Sequence, residues 1–527
     1  MDKILRRFFF ACSLAAGLSS AAIAAPEPSA LDEATVADIG ARMRRGELTS
    51  HALVQHYLDR IAAIDRSGPA INAVIELNPD ALSIADELDA ERKRGRLRGP
   101  LHGIPVLIKD NIDTADRMHT TAGSLALADS IAPQDSTVVA RLRAAGAVIL
   151  GKTNLSEWAN FRSEHSTSGW SARGGLTRNP YALDRNTCGS SAGTGAAIAA
   201  SLAAVGVGTE TDGSIVCPST TNSLVGIKPT IGLVSRAGIV PISHSQDTAG
   251  PMTRTVADAA VLLGALAGSD PRDAASATAN AHRKDYTKAL DARSLRGARI
   301  GVARKLAGFN ADVDKAFDES IVALRAAGAI VVDPVELPNS GKYDDDELVV
   351  LQYEFKADLN DYLAKLGAQV RSRSLADLIA FNNAHAQREM PWFGQETFEK
   401  AQARGPLSDQ VYTAALARAK KLSGPEGIDA ALANDKLDAL VLPTGGPAWV
   451  SDLVNGDHFG GGSSAPAAVS GYPAITVPMA FVHALPVGLT FVGSAWSEYK
   501  LIGYAYAFEQ ATHARRAPTF LPHIESP

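Results

Sequence analysis

The chain has 527 residues, of which 46% are hydrophobic, 20% charged and 6% aromatic. That is ample apolar material for a large folded core, and it excludes disorder, collagen and a long coiled coil. Against 57 Asp and Glu stand 51 Lys and Arg, a formal charge of −6 with no basic run or stripe, so nucleic acid is not an expected partner. Three cysteines in such a length cannot build a disulfide framework, and stability must come from packing.

The first two dozen residues read apart from the rest. Lys3, Arg6 and Arg7 precede an apolar stretch over residues 8–18 and then Ala22-Ile23-Ala24, the pattern of a cleaved signal peptide over residues 1–24. The stretch is shorter than the roughly 20 residues a membrane span needs, and Pro26-Glu27-Pro28 follows at once. The expectation is an exported chain, periplasmic or secreted after cleavage near Ala24, with no stable membrane anchor. Cys12 leaves with the leader, so the mature chain keeps Cys188 and Cys217.

From residue 31 to about 65 the pattern is helical, with Leu53, Val54, Tyr57, Leu58 and Ile61 on one face behind the cap candidates Thr49 and Ser50. His51 and His56 belong to the surface of that helix, and no His/Cys/Asp/Glu group has metal-ligand spacing. Residues 103–109, Gly-Ile-Pro-Val-Leu-Ile-Lys, form a short apolar strand whose last residue is Lys109; a buried strand rarely stops on a charge without a reason. Residues 136–145 read as a helix ended by Gly146, with a strand over 147–150. The string Leu-Arg-Ala-Ala-Gly-Ala recurs at 324–329 ahead of the apolar Ile330, Val331 and Val332, so one helix-to-strand solution is used twice. Apolar runs at 439–442, 475–478 and 487–492 read as further buried strands. Residues 269–436 are mostly charged amphipathic helix, read as a helical layer or insertion that lines a cleft or forms a solvated outer face. Strands alternating with helices predict an α/β sheet covered on both faces.

Two formal motifs fail on context. Residues 146–153, Gly-Ala-Val-Ile-Leu-Gly-Lys-Thr, spell a phosphate loop, yet the four middle residues read as strand where the mechanism needs a loop of free N–H groups. Residues 189–193, Gly-Ser-Ser-Ala-Gly, spell a nucleophile elbow, which would make Ser191 the serine of an α/β-hydrolase esterase. The elbow needs a strand just before it, and residues 179–187 are polar and interrupted by Pro180. The uncharged run at 188–209 is too poor in bulky apolar residues to insert in a membrane and reads as a buried helix of small residues. After it, glycines flank Ser214 in Gly-Val-Gly-Thr-Glu-Thr-Asp-Gly-Ser, which lets backbone N–H groups converge as an oxyanion site requires.

These segments together resemble the amidase signature family. The resemblance rests on Gly-Ser-Ser-Ala-Gly-Thr-Gly at 189–195, Gly-Thr-Glu-Thr-Asp-Gly-Ser-Ile-Val-Cys-Pro at 208–218, and Gly-Ile-Lys-Pro-Thr at 226–230 followed by Gly-Leu-Val-Ser-Arg at 232–236. It extends to residues 103–111, 151–154, 247–251, 471–478 and 485–488, and so spans most of the mature chain, least in the variable, mainly helical region of about 270–436. It implies a single large domain, residues 25–527, with a mixed central β-sheet covered by helices. It also implies a Ser–Ser–Lys triad at Lys109, Ser190 and Ser214, with Ser214 as nucleophile and Ser190, on a cis peptide bond, relaying the proton. The backbone N–H groups of Thr211, Asp212 and Gly213 would form the oxyanion hole, with Ser191 and Glu210 supporting. Lys109 works as a base only when burial lowers its pKa from about 10.4.

The Glu-Thr-Asp-Gly-Ser version is most similar to the bacterial peptide amidases, which remove C-terminal amides of peptides. The expected activity is therefore cofactor- and metal-independent deamidation of peptide amides without an obligatory protein partner. The alternatives are an amidase for small aliphatic or aryl amides, a glutaminase subunit of a transamidation complex, and, as a minor one, an α/β-hydrolase esterase using Ser191. Thr220, Thr221 and Ser223 are more polar than usual in the family and are expected to alter the pocket floor. Cys188 and Cys217 bracket the two serines, and both a disulfide and free thiols stay open.

Overall fold

A computed structural model of the protein describes residues 29–524. The leader read at residues 1–24 lies outside the described residues. Among them, eleven strands build one sheet: β1 (Val74–Leu77), β2 (Pro105–Lys109), β3 (Val148–Thr153), β4 (Val205–Glu210), β5 (Val225–Lys228), β6 (Thr248–Thr253), β7 (Arg299–Val302), β8 (Ile330–Val332), β9 (Ala439–Pro443), β10 (Ala474–Val482) and β11 (Leu485–Val492). They lie in the order β1-β3-β2-β4-β6-β5-β10-β11-β9-β7-β8. The pairs β2/β3, β2/β4, β7/β9 and β7/β8 are parallel; the remaining neighbours are antiparallel. The sheet is mixed and flanked by helices in a single α/β domain, as the sequence implied.

The helix-to-strand junctions show how local chemistry builds this frame. Helices Thr137–Ala144 and Ala311–Ala326 each run into a glycine at positive φ, Gly146 at 81° and Gly328 at 96°. In both, the next residue reaches back across the cap, Ala147 N–H to the Leu142 carbonyl at 2.9 Å and Ala329 N–H to the Leu324 carbonyl at 3.1 Å. This left-handed cap satisfies carbonyls that the helix end leaves open and turns the chain into β3 or β8.

Three boundaries differ from the reading of the sequence. The first helical stretch is two helices, Val36–Arg44 and Ser50–Arg60; Thr49 caps the second, its side chain accepting the Ala52 N–H at 3.0 Å. The small-residue run is helix only over Ala192–Ala199, and its end is strand β4, where Val205 and Val207 alternate with Gly206 and Gly208. The region 270–436 also gives the sheet β7, beside the edge strand β8 whose residues 330–332 the sequence already read as strand. Its helical layer proper comprises Asp344–Ala364, Leu375–Ala384, Glu396–Gln402 and Gln410–Ser423. The strand read at 147–150 in place of a phosphate loop is β3, which runs on to Thr153, and Lys152 in that extension is fully buried with its Nζ donating to the Ile112 carbonyl at 2.7 Å.

Candidate active site

Strand β2 lies between the parallel strands β3 and β4, and the carboxyl ends of such strands are where an open α/β sheet places its chemistry. Lys109 ends β2 and is 0% exposed. Its Nζ lies 2.7 Å from Ser190 Oγ, 2.9 Å from Thr209 Oγ1 and 3.3 Å from the Thr209 carbonyl oxygen. Burial pushes its pKa down to about 7, against the opposing charges of Asp247 and Glu210. An amine in that state offers a lone pair at neutral pH, which accounts for the charge at the end of an apolar strand.

Ser190 sits on the loop leading into helix Ala192–Ala199, and the Gly189–Ser190 peptide bond is cis, as the resemblance implied. The helix is made of small residues because it lies against backbone: a Cβ on Gly193 would come within 2.3 Å of the Ala73 carbonyl oxygen and 2.6 Å of the Asn154 nitrogen. That close approach sets the depth of the Ser190 loop. Ser191, the elbow candidate, is fully buried. Its Oγ donates to the Thr209 carbonyl at 3.1 Å and accepts the Thr209 N–H at 3.2 Å, which ties the loop to β4.

Ser214 follows β4 by four residues and is 7% exposed. It lines a cleft of about 500 Å³ together with Ser190, Thr211, Asp212 and Gly213. Among the described residues its hydroxyl has no protein hydrogen-bond partner, while its carbonyl accepts the Ser191 N–H at 3.3 Å. Glu210 fixes the turn: its Oε2 accepts the N–H groups of Ile215 at 2.7 Å and Val216 at 3.0 Å. Burial raises the pKa of this carboxyl, and Lys228 opposes the shift. The aromatic and apolar walls of the cleft include Phe161, Leu351, Trp449 and Phe459.

Cys188 and Cys217 form a disulfide with Cα atoms 5.9 Å apart, which closes the question the sequence left open. Both cysteines line the cleft, so the bridge staples the Ser190 loop to the segment after Ser214. Thr220, Thr221 and Ser223, expected at the pocket floor, are buried behind it and are not part of its lining. Thr221 Oγ1 donates to the Thr187 carbonyl at 2.7 Å, a structural tie to the serine loop.

Sequence reasoning gave no role to Asp247. Its carboxylate accepts from Thr211 Oγ1 at 2.6 Å and from the N–H groups of Ile242 and Ser243 at 2.8 and 2.9 Å, bracing the turn that leads to Ser214 from the side. Burial raises its pKa to about 6. The one available signal was its place in the family-like segment 247–251. The sequence also missed a cluster formed by His244, Glu354 and Asp358, whose polar atoms lie within 4.8 Å of one another. His244 Nδ1 meets Asp358 Oδ2 at 2.9 Å and Tyr412 OH donates to Glu354 Oε1 at 2.8 Å, so the group joins the helical layer to the loop before Asp247.

The fold and this site define an amide hydrolase: the chain belongs to the amidase family, whose profile matches residues 52–502. It is 56% identical to the native peptide amidase from Stenotrophomonas maltophilia, whose crystal structure superposes with a TM-score of 0.89 over 94% of this chain and 100% of that one. A probable amidase of Arabidopsis thaliana is 44% identical over 503 residues, 93% of this chain and 92% of its own length. A glutamyl-tRNA(Gln) amidotransferase subunit of Symbiobacterium thermophilum is 35% identical over 483 residues, 90% of this chain and 95% of its own.

Proposed function

We propose that this enzyme is an exported serine amidase that removes the C-terminal amide of peptides through Ser214, Ser190 and Lys109. The observation that carries the reading is the buried Lys109 amine 2.7 Å from Ser190 Oγ, behind a cleft that Ser190 shares with Ser214. Lys109 takes a proton from Ser190, which takes one from Ser214 as its Oγ attacks the carboxamide carbon. The N–H groups of Thr211, Asp212 and Gly213 receive the oxyanion, a contribution of about 3–4 kcal/mol per donor. The proton returns along the same relay to the nitrogen, the C–N bond breaks and ammonia leaves. A water deprotonated by the relay then hydrolyses the Ser214 ester and releases the carboxylate.

Peptide amides are favoured as substrates by the 56% identity to the Stenotrophomonas enzyme and by a cleft of about 500 Å³ with aromatic walls, roomy enough for a residue and its side chain. No cofactor, metal or partner chain is needed by this chemistry. Export is supported by the basic and apolar leader and by the Cys188–Cys217 bridge, which suits an oxidising compartment. Ser191 is disfavoured as nucleophile because its hydroxyl is engaged on both sides by the Thr209 backbone.

The test is ammonia release by the purified single chain from an amidated dipeptide, from propionamide and benzamide, and from glutamine. The dipeptide amide should turn over fastest and Ser214→Ala should abolish turnover. Activity restricted to small amides would move the substrate class. No ammonia from any of them would point to a function that depends on partner chains, and loss in Ser191→Ala alone would move the nucleophile.

A further inference from the structure

Lys109 has a donor–acceptor balance that singles out Thr209. A neutral amine carries two N–H donors and one lone pair. Three oxygens surround its nitrogen: Ser190 Oγ, Thr209 Oγ1 and the Thr209 carbonyl. The carbonyl can only accept. If Thr209 Oγ1 also accepts, both N–H bonds are used on Thr209 and the lone pair is left facing Ser190. If the Thr209 hydroxyl instead donated to the amine, the lone pair would be taken up by it and the relay would be blocked.

Asn111, two residues beyond Lys109, bears on which of these holds. Its amide group lies 3.0 Å from Thr209 Oγ1. With Nδ2 toward the hydroxyl, Oγ1 accepts from both Asn111 and Lys109. Its own proton then points elsewhere, and Thr209 and Asn111 both line a second cavity of about 520 Å³ that can receive it. With the amide turned over, Oδ1 would take the hydroxyl proton directly. In either orientation Oγ1 presents a lone pair to Lys109. The second cavity meets the catalytic cleft at Ala159, Thr211 and Ile242, but its lining includes neither Ser190 nor Ser214.

We propose that Thr209, held by Asn111, is a positioning residue that aims the Lys109 lone pair at Ser190. The proposal rests on the Ser–Ser–Lys reading above and adds to it a residue that touches neither substrate nor reacting serine. Asp247 and Glu210 favour the charged amine by their charge; the Thr209 hydroxyl 2.9 Å away favours it as an acceptor, so its removal is expected to lower the pKa of Lys109 further.

The experiment measures the rate of Ser214 labelling by a fluorophosphonate against pH, which needs no knowledge of the substrate, in wild type, Thr209→Val and Thr209→Ser. Thr209→Val keeps the shape and removes the hydroxyl. Its plateau rate should fall roughly 10- to 100-fold, the penalty of a misaimed group, while its acid limb moves to lower pH. Thr209→Ser should stay within about threefold of wild type, since it restores the acceptor. With the dipeptide amide, the same loss in Thr209→Val should fall on kcat and leave KM in place. A Thr209→Val enzyme with wild-type rate and midpoint, or a Thr209→Ser enzyme equally impaired, overturns the proposal. If Thr209→Val does not fold, Asn111→Ala decides: a several-fold lower labelling rate is expected, and an unchanged rate overturns the proposal. A wild type that labels at Ser214 yet leaves the dipeptide amide intact would count against the substrate reading alone.

Discussion

The catalytic half of the sheet and the helical layer over residues 344–423 solve opposite problems. Around β2, β3, β4 and helix Ala192–Ala199 the side chains are small or apolar, and the charges that remain are Lys109, Lys152 and Glu210, all buried. In the helical layer most charges face outward, Glu347 and Glu354 being buried exceptions, while Phe355, Leu359, Leu363, Leu375, Leu378 and Phe398 pack into a separate cluster against Trp158, Val240 and Ile242. The first region buries charges at the reacting groups; the second buries chiefly apolar side chains, which hold a wall in place. They meet at residues 243–247, where Gln246 Nε2 donates to Glu347 Oε1 at 2.7 Å and Lys420 Nζ donates to the Ser245 carbonyl at 2.7 Å. Chemistry should therefore respond to the sheet, and substrate fit to the helical layer.

The largest expected effect is at the sheet. Lys109→Met should lose about a thousandfold or more in kcat, within the range for a general base, with an unfolding temperature near that of wild type. Turnover within tenfold of wild type would mean that another base operates. Next is the staple between the two serine segments. Cys188→Ser with Cys217→Ser should cost about 2–4 kcal/mol in denaturant unfolding for a bridge of this loop length, the cysteines being 29 residues apart. An unchanged midpoint would show that packing alone holds the serines. The smallest effect belongs to the helical layer: Leu351, which lines the cleft from helix Asp344–Ala364, should on change to alanine raise KM several-fold, about 1 kcal/mol of lost apolar contact, with kcat held. A fall in kcat with KM unchanged would erase the division between the two regions.

Much of the catalytic half was legible in sequence because its rules are local. An apolar strand cannot end on Lys109 without a purpose, a glycine after a periodic stretch marks a helix end, and the Gly/Ser segments carried the family resemblance. The small-residue run was half misread because Gly-Val-Gly-Thr is too short and too bare to separate strand from helix by periodicity. The rest is a matter of distance along the chain. Thr209 meets Asn111 across 98 residues and Ser243 meets Glu354 across 111, and spacing does not encode such pairings. Thr221 illustrates the same limit: its polarity was visible, but only the fold shows its hydroxyl turned to the Thr187 carbonyl and away from the cleft.

The claim on which the mechanism stands is that Lys109 is uncharged when it acts. The direct measurement is kcat/KM for a peptide amide against pH in wild type. Because burial lowers the amine toward about 7, activity should fall as pH drops through that value, where the base takes a proton and its lone pair is lost. The account predicts one proton on the acid limb with a midpoint near 7. A rate that stays flat down to pH 5, or one that climbs only above pH 9, would contradict it.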